Sequence, residues 1–185
     1  MKKILAITGS VKGIKTQVAL QETLAAILKI EPNIETDLLV IGDFNLEFSD
    51  GRDISLYNLD TQYVIQQIME ADAILFATPI YQTSIPGALK NIFDLLPMYA
   101  LQNKLAGLIV TAASPMYYSM AEQQLKPIIS YMGAHVVQKY VYIQDADYDA
   151  SNKIVNPEIN DRIQRLGCDM VKGLKHIDLQ NSFDF

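Results

Sequence analysis

Cys168 is the only cysteine in 185 residues. No intramolecular disulfide can form, which fits a reducing compartment. No apolar stretch approaches the roughly 18 residues that a membrane span needs. The start MKKILAITGS is basic, but its apolar run of only about five residues is too short for a signal peptide. It reads instead as a first strand, and a cytoplasmic protein is expected. Positive charge is scarce too: 15 Lys and Arg face 21 Asp and Glu, a net charge of −6. That balance argues against sequence-independent binding to nucleic acid or anionic lipid, while leaving room for a local basic spot that holds one phosphate. His135 and His176 stand far apart with no cysteine at ligand spacing, which makes them structural and leaves no metal site. DADYD at 145–149 opens like a calcium loop, but Ala150 replaces the glycine and Asn156 the closing glutamate, so a solvated loop is expected. Repeats, low-complexity tracts and internal linkers are missing as well.

What is present is alternation. Apolar runs at 4–9, 34–42, 73–79, 104–113 and 134–143 read as strands, the first and third nearly all apolar, as parallel strands buried on both faces are. Between them lie helical patterns. Segment 16–30 sets Val18, Leu24, Ile27 and Leu28 near one face behind Thr16 as N-cap. Residues 60–72 are amphipathic, 86–97 begin at Pro86 and stop before Pro97, and 117–132 contain Lys126-Pro127, which bends or restarts a helix. A closing helix over 157–177 encloses Cys168 as a buried thiol, and residues 43–58 read as a loop. A tail from about 178 to 185 frays or packs on a neighbouring subunit. Five strands separated by helices predict one α/β domain spanning 1–185, a parallel sheet with right-handed crossovers. The flavodoxin-like order 2-1-3-4-5 competes with the Rossmann order, and five units in so short a chain favour the former. Either way, ligands bind beyond the carboxyl ends of the strands, where loops 9–16, 79–85 and 112–118 fall.

Loop 9–16, GSVKGIKT, nearly spells two nucleotide loops and completes neither. For a P-loop, Gly13 comes one position early and Ile14 stands where the second glycine belongs; for G-x-G-x-x-G, Val11 and Ile14 replace glycines. It still offers Ser10 and Thr16 hydroxyls, Lys12 and Lys15 cations and the free N–H groups of a helix N-terminus. It is an anion site or a polar turn with solvated lysines. Tyr81, beyond a strand end, either packs under a neighbour or stacks on a flat ring lying over Pro79 and Ile80. Loop 112–118, AASPMYY, lets a ligand approach the backbone or is an ordinary turn.

ATPIYQTSIPGALKNIFDLLP (77–97) resembles the NAD(P)H-dependent FMN reductase family. It fits that family's T-P-x-Y-x-x-x-x-x-G-x-L-K-x-x-x-D without gaps, through Thr78, Pro79, Tyr81, Gly87, Leu89, Lys90 and Asp94. GSVKGIKTQ is similar, more loosely, to the family's phosphate loop G-S-x-R-x-x-S. ALQNKLAGLIVTAA and LKPIISYMGAHVV look most like the sulfonate-linked branch. The resemblance covers roughly residues 3–145.

It implies FMN as cofactor and NAD(P)H as hydride donor, hydride passing to flavin N5 and then to free flavin, a quinone or a similar small-molecule electron acceptor. No side chain need act as general acid or base, because the flavin carries the chemistry. Ser10 and Lys12 match the residues that meet the FMN phosphate, with Lys15, Thr16 and Gln17 completing the loop. Pro79, Ile80, Tyr81, Gln82 and Ser84 match the segment around the isoalloxazine ring. Thr111, Ala112, Ala113 and Ser114 match the loop at the ring's other edge. A homodimer or homotetramer with the helix after PGALK at its interface is also implied. Lys12 replaces an arginine and loses its planar fork, Lys15 replaces a serine, and Thr-Ala-Ala-Ser replaces a glycine-rich turn. These departures bear on FMN affinity: a tight prosthetic group or an exchanging substrate both remain open. The rival within the same fold, an electron-carrying flavodoxin, prefers T-x-T-G-x-T, which the lysines of this loop disfavour. A response-regulator-like domain would need acidic residues where Thr8-Gly9 and Thr78-Pro79 stand.

Overall fold

A computed structural model describes residues 2–177; the tail expected to fray or pack on a neighbour lies outside the described residues. The strands are β1 (Lys3–Thr8), β2 (Glu35–Val40), β3 (Ala73–Pro79), β4 (Leu105–Ala112), β5 (His135–Val136) and β6 (Val141–Gln144). All pairs are parallel, in the order β2-β1-β3-β4-β5, with β6 also beside β4. The flavodoxin-like order is therefore the one adopted.

The expected fifth strand at 134–143 is split. His135 lies opposite Leu105, but Val141 lies opposite Ile109, so the edge strand carries extra residues between the two pairings. Gln138 and Lys139 in that excursion are exposed, and a bulge there interrupts an otherwise continuous open edge.

Alternating side chains of the central strands feed two layers, as strand periodicity requires. Leu5, Ile7, Ile74, Phe76 and Leu108 face α2 (Leu59–Glu70), α3 (Gly87–Leu95) and α4 (Lys126–Tyr131). Ile4, Ala6, Leu75, Ala77 and Ile109 face α1 (Ile14–Ile30) and α5 (Pro157–His176). α1 and α5 touch closely, since a Cβ on Gly167 would lie 3.1 Å from that of Ala26. Cys168, one step round from these core positions, is half-buried rather than enclosed. The segment 117–132 restarts as the Lys126-Pro127 pair suggested. A wide turn over Ala121–Leu125, closed by the Lys126 N–H on the Ala121 carbonyl, precedes α4, and Pro127 has no N–H for the turn before it.

Loop 43–58 is ordered by side chains. Asn91 of α3 accepts from Ser49 N–H at 2.9 Å and donates to the Glu47 carbonyl at 2.9 Å. At the opposite end of the sheet from the strand C-termini, Asp72 accepts from Lys3 N–H at 2.8 Å and Lys2 Nζ at 2.9 Å. Burial works against its ionisation, but the Lys3 and Lys2 hydrogen bonds and the nearby charge of Lys2 outweigh that and lower its pKa. A carboxylate lowered on folding stabilises above its unfolded pKa and loses that contribution as pH falls through the folded value. Asp72→Asn should therefore cost about 1 kcal/mol at neutral pH. In thermal melts, the gap to the parent chain should close as the medium is acidified below the carboxylate range.

Candidate functional site

β1 ends at buried Thr8, and the chain leaves through Gly9 over the end of β3. A Cβ on Gly9 would sit 2.7 Å from Thr78 Oγ1 and 2.9 Å from Leu89 Cδ2, so two residues of the 77–97 signature act as the floor on which this glycine rests. Thr8 Oγ1 donates to the Ser10 carbonyl at 3.3 Å and accepts from Ile41 N–H at 3.2 Å, which ties the loop to the end of β2.

The helix that follows begins at Ile14 with Gly13 at the cap, so Thr16 is not the N-cap. Thr16 lies in the first turn, buried, its hydroxyl 3.2 Å from that of Thr111 on β4. No side chain caps the helix and no acidic residue occupies its first turn. Its leading N–H groups and the positive end of its dipole are left for an anion. Ser10 is 1% exposed, and its Oγ is the single buried side-chain polar atom without a partner among the described residues. Such an atom costs about 1–3 kcal/mol when nothing bonds it. A Cβ on Gly13 would lie 2.3 Å from that oxygen and 3.4 Å from Thr16 Oγ1, so only glycine lets the Ser10 hydroxyl pack this close to the loop backbone.

Around this loop lies a cleft of about 780 Å³. It brings together Ser10, Lys12, Lys15, Thr16 and Gln17 from the first loop, Pro79, Ile80 and Tyr81 from the second, and Thr111, Ala112 and Ala113 from the third. Three expected residues do not line it. Ser84 Oγ turns away to Gln124 Oε1 at 3.1 Å, Ser114 Oγ accepts from Met116 N–H, and Gln82 sits at the tip of a tight turn. In that turn Tyr81 and Ser84 exchange backbone hydrogen bonds of 2.9 and 3.0 Å, with Gln82 at φ 48° and Thr83 at φ 63°. Left-handed backbone at a β-branched residue is strained, and the exchanged hydrogen bonds hold the turn, with Tyr81 at the cleft mouth. Tyr81 is 50% exposed, so it is not packed under a neighbour.

Thr8, Val11, Gly13, Ile14, Val40, Asp145 and Asn152 also line the cleft and were not foreseen. For Asp145 and Asn152 the signal existed: they follow the last strand and so reach the same carboxyl edge as the other three loops. The two lysines differ. Lys12 is exposed and has no ion pair among the described residues, whereas Lys15 Nζ lies 2.7 Å from Asp145 Oδ1 and 5.3 Å from the centre of the Tyr148 ring. Tyr148 donates its hydroxyl to the Lys15 carbonyl at 3.0 Å. Burial, then the charges of Asp147 and Asp145, push its phenol up, so it stays a donor at neutral pH.

The family model described as NADPH-dependent FMN reductase matches residues 2–147. The chain belongs to the NADPH-dependent FMN reductase family. It is an oxidoreductase of a family that uses FMN as cofactor with NAD(P)H as electron donor. This reductase is 38% identical over 169 residues to an NAD(P)H-dependent FAD/FMN reductase of Geobacillus thermodenitrificans, an alignment that covers 91% of each chain. It is 28% identical to the NADH-dependent FMN reductase SfnF of Pseudomonas fluorescens, over 88% of this chain and 86% of that one. The apo form of an NADH:FMN oxidoreductase superposes with a TM-score of 0.78 at 22% identity, covering 98% of this chain and 92% of the other, which speaks for the fold alone. The reductase's own residues fit a flavin monophosphate: a phosphate over Ser10 and Gly13 would answer the unpaired hydroxyl and the uncapped N–H groups together. Among the described residues no helix is long and apolar enough to cross a membrane.

Proposed function

We propose that this reductase holds FMN with its phosphate on loop 10–17 and its ring over Pro79, Ile80 and Tyr81, against Thr111, Ala112 and Ala113. The chemistry that FMN would supply there is hydride transfer from NAD(P)H, with electrons passed on to free flavin, a quinone or a similar small acceptor. The chain's residues bind and orient. Ser10 Oγ and the first-turn N–H groups of α1 would donate to the phosphate, and Lys12 would supply the charge. Tyr81, raised on its strained turn, bounds the cleft where the ring would lie. The observation that carries this reading is the buried, partnerless Ser10 Oγ, packed against Gly13 at the wall of the cleft. A dimer or tetramer formed through the region of α3 is in keeping with Met98 and Tyr131, both more than 70% exposed beside that helix. A cytoplasmic setting accords with the lone cysteine.

Flavin fluorescence quenching tests the proposal. The parent chain should bind FMN saturably, and flavin absorbance should bleach on adding NADPH. Ser10→Ala should act with opposite signs on its two readouts. Without ligand its thermal midpoint should hold or rise, because the unpaired hydroxyl is gone. Its FMN affinity should fall about tenfold, because a hydrogen bond to a charged group is lost. FMN affinity equal to that of the parent would move the phosphate elsewhere, and no saturable FMN binding by the parent would end the proposal.

A further inference from the structure

Resting on the assignment of FMN phosphate to loop 10–17, we propose that Asp145 sets how tightly this reductase holds the flavin phosphate, by keeping Lys15 as its own counter-ion. The two side chains meet at 2.7 Å and both line the cleft. Lys15 leaves the first turn of α1, beside the N–H groups that face the phosphate position, so an unpaired ammonium there would add a second cation to Lys12. The structure turns it the other way. Tyr148 holds the Lys15 carbonyl through its hydroxyl and offers its ring face to Nζ, both on the side where Asp145 stands.

The turn that carries Asp145 is anchored through Asp147. Asp145 opens a short turn over Asp145–Asp147, in which the Asp147 side chain reaches back to the Gln144 N–H. Buried Asp147 accepts from Gln144 N–H at 2.7 Å and from Asn156 Nδ2 at 2.6 Å. Asn156 is in turn the N-cap of α5, donor and acceptor in one residue. The backbone of Asp145 is thus anchored at the cleft wall between the last strand and the last helix, and its carboxylate, exposed at the cleft, meets Lys15. Lys15 and Asp145 together bring no net charge to a phosphate dianion, where Lys15 alone would bring one positive charge. A unit charge within a Debye length of a dianion changes affinity by about three- to tenfold at low salt, and by less at high salt. The arrangement gives a flavin that exchanges more readily than an unpaired Lys15 beside the same hydroxyls and helix dipole would allow. Asp145 acts here as an affinity-setting residue for the phosphate, not as a catalytic one.

A charge cycle tests this. Dissociation constants for FMN and for riboflavin, which lacks the phosphate, are measured on the full chain for the parent, Asp145→Asn, Lys15→Met and the double variant. Asp145→Asn should bind FMN about three- to tenfold more tightly at low salt, a gain that shrinks in high salt and does not extend to riboflavin. Lys15→Met should bind FMN more weakly by a similar factor, since it leaves the carboxylate unpaired. The double variant should return close to the parent, because removing the pair removes no net charge. A double variant as weak as Lys15→Met would show that Lys15 alone meets the phosphate and would overturn the role of Asp145. Unchanged or weaker FMN binding by Asp145→Asn, or a parallel change for riboflavin, would overturn it too. Asp145→Ser repeats the charge change with a smaller side chain, should Asp145→Asn lower the thermal midpoint. A parent chain that binds no FMN would instead defeat the site assignment, an outcome read before any variant is made.

Discussion

Gly42→Ala is expected to weaken FMN binding by at least about tenfold while leaving the parallel sheet in place. Gly42 follows β2 in a single turn over Ile41–Asp43, and a Cβ there would lie 2.0 Å from the Val11 carbonyl oxygen and 2.9 Å from its carbon. The obstacle is backbone, so no rotamer change relieves it. The Val11 peptide has to move, and it belongs to a loop pinned at both ends, by the Thr8 hydroxyl on one side and the start of α1 on the other. Displacing hydrogen-bond donors by about 1 Å is enough to cost a positioned ligand one to two orders of magnitude. Fluorescence titration with FMN reads the effect, and circular dichroism checks that the helix content is kept. Binding within twofold of the parent would mean that residues 10–13 do not carry the phosphate.

The largest loss of stability is expected from Phe76→Ala. Phe76 is fully buried on β3, the strand between β1 and β4, and its ring lies 5.5 Å from that of Phe93 on α3 at 53°. Truncation removes the transfer free energy of a large side chain and leaves a cavity between rigid strand and helix. We expect a cost of about 3–5 kcal/mol, a large part of the roughly 5–15 kcal/mol that holds a domain together. Urea unfolding should show the midpoint falling with the slope unchanged. A loss under about 1 kcal/mol would mean that α3 settles into the space, and α3 would then be a looser support for the Tyr81 turn than its burial implies.

The three central strands were legible because parallel strands covered on both faces must be apolar at nearly every position, and 4–9, 73–79 and 104–113 are. The edge was not. His135 to Tyr142 reads as one β-rich run, and only the pairing with β4 divides it, through a register change that no local residue announces. Thr16 is a good capping residue by type, yet the helix starts before it, and its hydroxyl meets that of Thr111, 95 positions away. Ser84 and Ser114 were plausible ligand residues on their loops, and each is claimed by a neighbour instead.

Composition, alternation and the 77–97 signature were sufficient by themselves for the sheet order, the placement of the cleft at the strand ends and the family of the chemistry. They could be, because each rests on periodicity or on residues close in sequence. Lys12 and Lys15 were equivalent cations at that level, three positions apart in one loop. Tertiary structure separated them by bringing a carboxylate from 130 positions away onto Lys15 and, among the described residues, none onto Lys12. It also decided that Ser10 should be buried without a partner and that Gly13 and Gly42 should be irreplaceable for lack of space. Charge pairing and excluded volume are properties of segments distant in the chain, and they exist only once the sheet has placed those segments side by side.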